Sequence, residues 1–206
     1  MAEPVRLTRA DGSEVLGFRT RPSDARRGGL VLIPHSVVAG ALTDELALGF
    51  AKDGYEVLAP SALRPTAGEA TDWQEVRASL QACIEALAPP VFCLGYGWGG
   101  AAAWLAACHC TGVSAASCFP DKHILELIDE TPLCPTSLHV GRADPNFSAE
   151  ETAAIAERHP EIPLHLYDAG EDFASGGGRG QSDAARLSYL RTLALFSRHG
   201  VGRGEV

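Results

Sequence analysis

The chain of 206 residues has only two lysines, Lys52 and Lys122, beside fifteen arginines, and nowhere gathers its basic residues into a patch. With 26 acidic residues against 17 basic ones, its formal charge is −9. A phosphate backbone calls for the opposite, a basic stripe or face, so nucleic acid is excluded as a partner. No segment strings together eighteen apolar residues, the length a membrane-crossing helix needs. The start, Met1-Ala-Glu-Pro-Val-Arg6, lacks the basic-then-apolar order of a secretory leader, so the expected location is cytoplasmic with no membrane partner. The six cysteines, Cys83, Cys93, Cys108, Cys110, Cys118 and Cys134, never form a CxxC pair. They read as buried, reduced thiols rather than as a zinc ribbon or a disulfide framework. Cys108-His109-Cys110 crowds three ligand types into three consecutive positions that project in different directions, so neither a metal nor a cofactor is expected.

What the chain does have is core. Hydrophobic residues make up 46%, with 22 glycines and 13 prolines dispersed among them. That composition suits one soluble domain over residues 1–206 with a fraying tail at 200–206, as a monomer or homodimer. The excess of arginine and alanine is of the kind associated with bacterial genomes of high GC content.

The pattern begins with two alternating segments, Val5–Thr8 and Glu14–Thr20, around Asp11-Gly12, which predicts an antiparallel hairpin. It then changes to short apolar runs separated by helical periodicity. Strands are expected at Leu30–Pro34, Tyr55–Pro60, Val91–Gly95, Val113–Cys118, Pro135–Val140 and Pro163–Asp168. Helices are expected at Ala41–Lys52, Thr71–Ala88, Gly99–Cys108, Ser148–His159 and Ser182–Arg198. In the last of these, Leu187, Leu190, Leu193 and Leu195 form the predicted core-facing stripe. Alternating strands and helices build an α/β three-layer sandwich whose mostly parallel sheet carries an antiparallel N-terminal edge. Ligands of such sheets bind beyond the carboxyl ends of the strands, just after Pro34, Gly95, Val140 and Asp168.

Two of those ends carry clear motifs. Val91-Phe-Cys-Leu-Gly95-Tyr96-Gly97-Trp98-Gly99-Gly100 runs from a strand through a tight, glycine-rich turn into an alanine-rich helix, the context of a nucleophile elbow. Leu138-His-Val-Gly-Arg-Ala-Asp144-Pro places an acid after a later strand. With Asp168-Ala-Gly-Glu171-Asp-Phe173 after the final strand, the chain from Glu14–Thr20 to the last helix resembles the dienelactone hydrolase family of the α/β-hydrolase fold.

The resemblance implies an elbow of the form G-x-C-x-G-G with cysteine as nucleophile, a following aspartate, and a histidine after the last strand. Here Gly97 stands at the nucleophile position, Asp144 at the aspartate and Glu171 at the histidine. The family's glutamate beside the nucleophile corresponds to His35, so imidazole and carboxylate have exchanged loops. Glycine can form neither an ester nor a thioester, which rules out covalent catalysis from the elbow. The bland reading is that glycine relaxes a strained turn that no longer needs a side chain, with His35 and Glu171 as ordinary loop residues. The functional reading is that the space serves a water or a bulkier substrate.

An oxyanion hole does not need the nucleophile's side chain. The Trp98 amide after Gly97 and the Ser36 or Val37 amide after Pro34 are the expected donors. If Glu171 faces Asp144 closely, mutual repulsion would bring one carboxyl toward neutrality and make it a general acid or base, with His35 complementary. Tyr96, Trp98, Asp172, Phe173 and Arg142 are expected to touch substrate. At the place of the family's carboxylate-binding arginine stands Ser175, so carboxylate recognition would fall to Arg142 or Arg179.

The leading function is therefore non-covalent acid/base catalysis on a small carbonyl compound: elimination, isomerisation, cyclisation or direct attack by water. One alternative is a catalytically silent protein that binds a ligand or partner. Another is a hydrolase with a relocated nucleophile such as Ser36 or Cys118.

Overall fold

The computed structural model describes residues 2–35, 41–61, 63–65, 70–171, 173–174 and 182–200. Ser36, Val37, Asp172, Ser175, Arg179 and the tail beyond Gly200 lie outside them. The chain opens with β1 (Glu3–Thr8) and β2 (Glu14–Thr20). The hairpin closes through Arg9 N donating to Ser13 O at 2.8 Å, with Gly12 at φ +87°. There follow β3 (Gly28–Ile33), α1 (Ala41–Lys52), β4 (Tyr55–Pro60), α2 (Trp73–Glu85), β5 (Val91–Gly97) and α3 (Trp98–His109). The second half contains β6 (Val113–Pro120), a short 3₁₀ turn (Lys122–Glu126), β7 (Thr136–Ala143), α4 (Ala149–Arg158), β8 (Leu164–Gly170) and α5 (Asp183–His199).

The strands form one eight-stranded sheet in the order β1-β2-β4-β3-β5-β6-β7-β8. β2 runs antiparallel to both β1 and β4, and every other neighbouring pair is parallel. The predicted α/β class and antiparallel edge are both present.

Side chains alternate across the sheet as the two-residue strand period requires. Val31, Ile33 and Cys93 join α2 and α3 in one core, whereas Leu30, Leu32, Phe92 and Leu94 join α1 and α5 in the other. In α3, residues Trp98 to Cys108 are all buried, so this helix has no polar face. A helix apolar all round belongs inside, and glycine and alanine let it lie close on β5 and β6.

Two boundaries and one helix face differ from the sequence reading in ways that bear on the site or the core. α2 starts at Trp73 because the Asp72 carboxylate accepts from the amides of Gln74 and Glu75, an N-cap that ends the approach. β5 continues to Gly97 and passes without a loop into α3. In α5, Leu193 and Leu195 pack against the core as expected, but Leu187 and Leu190 are exposed at 44% and 55%, and the fully buried positions are Ala185, Ser188, Thr192 and Phe196. The hydroxyls can be buried because Ser188 donates to Ala185 O at 2.9 Å, while Thr192 and Ser117 share a hydrogen bond at 2.8 Å.

Candidate active site

The carboxyl ends of β5, β6, β7 and β8 converge on a pocket that includes Tyr96, Gly97, Phe119, Asp121, His139, Asp144, Asn146, Glu171 and Phe173. It opens to solvent, and its volume is about 20 Å³, room for about one water molecule.

At its base is the elbow. Gly97 has φ +55° and ψ −124°, a conformation side chains rarely adopt, and it is the residue before α3. The turn is sharp although residue 97 carries no side chain. It is held by Asp121 N donating to Gly97 O at 3.1 Å and by glycines on all sides. A Cβ on Gly95 would lie 1.8 Å from Gly99 O, one on Gly99 2.2 Å from Ile33 O, and one on Gly100 2.5 Å from the Phe119 backbone. Backbone packs on backbone here, and the sharp turn follows from that.

Gly97 differs from the other three in what fills its missing side chain. A Cβ there would lie 1.7 Å from His35 Nδ1 and 2.7 Å from His35 Cε1. The imidazole thus occupies the space that a nucleophile would take, and a side chain at 97 and this His35 position exclude one another. His35 follows β3, with its carbonyl accepting from Arg64 Nη1 at 3.1 Å. Its Nδ1 is buried and has no hydrogen-bond partner among the described residues.

Above the elbow, the two predicted carboxylates are joined by a residue the sequence reading missed. The Asn146 backbone N–H donates to Asp144 Oδ1 at 2.8 Å. Its side-chain amide donates to Asp144 Oδ1 at 2.9 Å and to Glu171 Oε1 at 2.9 Å. Both hydrogens of one NH₂ are therefore committed to two acids, which fixes the orientation of the amide. The parallel pairing of Ala143 with Gly170 sets these two loops side by side. The signal was available in Asp144-Pro-Asn146, a turn in which an aspartate takes the amide two residues on.

His139, also missed, forms part of the pocket's inner wall. It is 1% exposed, with Nδ1 2.7 Å from the Tyr167 hydroxyl and Nε2 3.0 Å from Ser137 Oγ. Burial pushes its pKa well below the ordinary histidine value, with His165 and Arg191 adding in the same direction. Its ring stacks on Phe119 at 4.4 Å, and Phe119 in turn meets Tyr96 at 4.8 Å and Phe173 at 6.0 Å. Phe119 and Asp121 follow the strand-end rule, but the sequence reading stopped that strand at Cys118.

Of the other expected residues, Tyr96 and Phe173 line the pocket. Trp98 does not bring its ring there. It is 1% exposed, stacked on Trp73 at 5.6 Å, with its indole N–H directed to Thr71. A residue opening a wholly buried helix points its bulk into the core, which leaves only its amide for the site. Arg142 is exposed and paired with Asp168 at 3.2 Å, outside the pocket lining. Cys118 is fully buried with its thiol pushed well above the ordinary value by burial, so it is no relocated nucleophile. Cys108 and Cys110 are buried too, their thiols pushed up to about 12 and about 11, and His109 pairs with Glu130. Among the described residues no group of three His, Cys, Asp or Glu side chains is placed to hold a metal.

Comparison with known proteins agrees with this geometry. The chain superimposes on a protein assigned as a dienelactone hydrolase from Klebsiella pneumoniae, with TM-score 0.80, 17% identity, and coverage of 96% of this chain and 98% of that one. The Pyrococcus furiosus esterase Pf2001 matches with TM-score 0.74, 15% identity and coverage of 97% and 93%. A dienelactone hydrolase-like promiscuous phosphotriesterase, P91, from metagenomic libraries matches with TM-score 0.70, 19% identity and coverage of 97% and 99%. None of the curated proteins matches the chain. At these identities the structures establish the fold, while the sequence profile of the dienelactone hydrolase family matches residues 16–200. With that span, and with the elbow and the paired acid loops in place, the chain belongs to the dienelactone hydrolase family.

Proposed function

We propose that this protein is a hydrolase-fold enzyme acting on a small carbonyl compound without a covalent elbow intermediate, with Glu171 as its general base. The observation that carries this reading is the Asp144–Asn146–Glu171 chain of hydrogen bonds at the mouth of the pocket above Gly97. It holds one carboxylate at a fixed angle while leaving Glu171 exposed to what enters. A general base must be positioned before its proton affinity matters, and a doubly committed amide supplies that positioning. His35, whose ring fills the place of a Gly97 Cβ and is not among the described lining of the pocket, would be the complementary group. The Trp98 amide at the start of α3 is a donor for a developing oxyanion, and the second donor expected from Ser36 or Val37 lies outside the described residues. Proton abstraction beside a carbonyl, elimination, isomerisation, cyclisation and attack by bound water all fit these groups.

The test is to incubate small ketones, lactones and esters with the protein in D₂O and follow deuterium incorporation and product formation by NMR. The expected result is turnover that Glu171→Gln lowers by about a hundredfold or more. Because Glu171 is exposed, the same change should leave stability within about 0.5 kcal/mol. Turnover equal in both proteins would remove Glu171 from the mechanism.

The small volume of the pocket, about 20 Å³, favours a second reading, a silent protein that binds its ligand at the pocket's mouth. Absence of turnover over the whole panel, together with ligand binding indifferent to Glu171→Gln, would select it.

A further inference from the structure

Resting on the reading that this pocket catalyses without an elbow nucleophile, we propose that Asp121 is a second catalytic base. It activates water against the carbonyl of a small ester or lactone, with His123 as its positioning residue, while Glu171 takes the proton of a carbon beside a carbonyl. Asp121 stands at none of the motif positions, yet it lines the pocket and is only 7% exposed, whereas Glu171 is exposed at the rim. A carboxylate that is buried and also faces a pocket needs a reason to be there, because burying it is costly.

Strand register places Asp121 beside the elbow. β5 and β6 are parallel with Gly97 opposite Pro120, so the residues that follow, Trp98 and Asp121, leave two neighbouring strand ends side by side. The Asp121 N–H ties the two ends together by donating to Gly97 O at 3.1 Å. The Trp98 amide is the donor for a developing oxyanion, so a base on the adjacent strand stands next to the carbon that bears that oxygen. Glu171 arrives from β8, which is separated from the elbow strand by both β6 and β7. The pocket has room for about one water molecule, and Gly97, Pro120 and Asp121 all belong to its wall.

One neighbour fixes the direction of this carboxylate. His123 donates twice to Asp121 Oδ1, from its backbone N–H at 3.0 Å and from Nδ1 at 2.8 Å. A carboxylate only accepts, so the imidazole carries its hydrogen on Nδ1. With both bonds on Oδ1 the plane of the group is set, and Oδ2 is the oxygen that serves the water. The backbone bond also caps the 3₁₀ turn Lys122–Glu126. Capping accounts for that bond but not for the imidazole bond or for the place in the pocket wall. In the reaction, Oδ2 takes a proton from water while the water oxygen bonds to the carbonyl carbon and the C=O electron pair moves to the oxygen facing the Trp98 amide. The pair then returns, the bond to the alkoxy oxygen breaks, and that oxygen leaves with the proton from Asp121. Ester and water have become acid and alcohol, and the carboxylate is restored.

The experiment runs two assays on the whole protein: release of phenol from phenyl acetate, and deuterium uptake by cyclohexanone in D₂O. Asparagine caps a turn as well as aspartate does, so Asp121→Asn removes the base and keeps the cap. It should lower hydrolysis relative to deuterium uptake by about a hundredfold, with the fall carried by kcat rather than KM. Glu171→Gln should move that ratio the opposite way. His123→Phe, which has no side-chain donor, should lower kcat for phenyl acetate by about tenfold, and His123→Asn, which returns an N–H, should restore most of it. Wild-type hydrolysis in Asp121→Asn, an equal fall of both reactions in that variant, or a wild-type protein inert toward phenyl acetate would each overturn the proposal. If Asp121→Asn does not fold, the His123 pair decides, and a His123→Phe protein as fast as wild type would overturn it. A ratio unmoved by Glu171→Gln would instead remove Glu171 as the carbon base and leave Asp121 standing.

Discussion

The elbow and the rim of the pocket are held in different ways. At the elbow, Gly95, Gly99 and Gly100 meet backbone atoms at 1.8 to 2.5 Å from where a Cβ would stand. At the rim, Asp144, Asn146 and Glu171 are half-buried or exposed and held by side-chain hydrogen bonds. The first region is fixed by backbone packed on backbone, with no side chain at residue 97. The second is fixed by one side-chain amide shared between two acids. Close packing sets the turn through its neighbouring glycines rather than through any reactive group. A rim built from polar side chains can be rewired one residue at a time.

The largest effect expected from this contrast is at Gly95. Gly95→Ala would force a methyl group to 1.8 Å from Gly99 O, a clash that neither backbone can relieve by changing rotamer. A loss of about 4 kcal/mol or more is expected in urea unfolding, at the upper end for single substitutions. A stable Gly95→Ala protein would mean the elbow is looser than its packing implies.

A smaller and sharper effect concerns Gly97 and His35. Gly97→Cys should cost about 1–3 kcal/mol, from φ +55° and from displacement of the imidazole. In a His35→Gly background the same change should cost about 1 kcal/mol less, since the space is then empty. Equal costs in the two backgrounds would show that the imidazole does not defend that space.

The smallest effect separates the buried wall from the exposed rim by pH. Burial lowers the His139 pKa in the folded protein below its value of about 6.5 in the unfolded chain. The unfolded state then takes up the proton first as pH falls. His139 therefore contributes fully above about pH 6.5, and stability declines below it by up to about 1.4 kcal/mol per pH unit until the folded pKa is reached. His165, also lowered by burial, acts in the same direction. His139→Asn should flatten this slope, as read from urea midpoints between pH 7 and pH 5. An unchanged slope would assign it elsewhere.

Much of the architecture was legible because it rests on local periodicity. Fully apolar strand runs such as Leu30–Ile33 and the hairpin at Asp11-Gly12 state their conformation within a few residues. The α5 stripe was misread because a hydroxyl bonded within its own helix or to a neighbouring strand is as buriable as leucine. The partners of Ser188 and Thr192 are not local information for a hydropathy count. At the site, Gly97, Asp144 and Glu171 were found from motif position, whereas Asn146 and His139 were not. Their roles exist only once β7 and β8 lie side by side and Phe119 closes over the strand.

By itself, the sequence determined an α/β chain with an antiparallel edge and an elbow without a nucleophile, since glycine at 97 removes that chemistry in any conformation. Only the tertiary structure decided that the His35 ring fills the space beside Gly97, that Trp98 turns into the core, and that one amide joins two carboxylates. Those depend on the distances between residues of different strands, and such distances follow from packing in three dimensions, not from order along the chain.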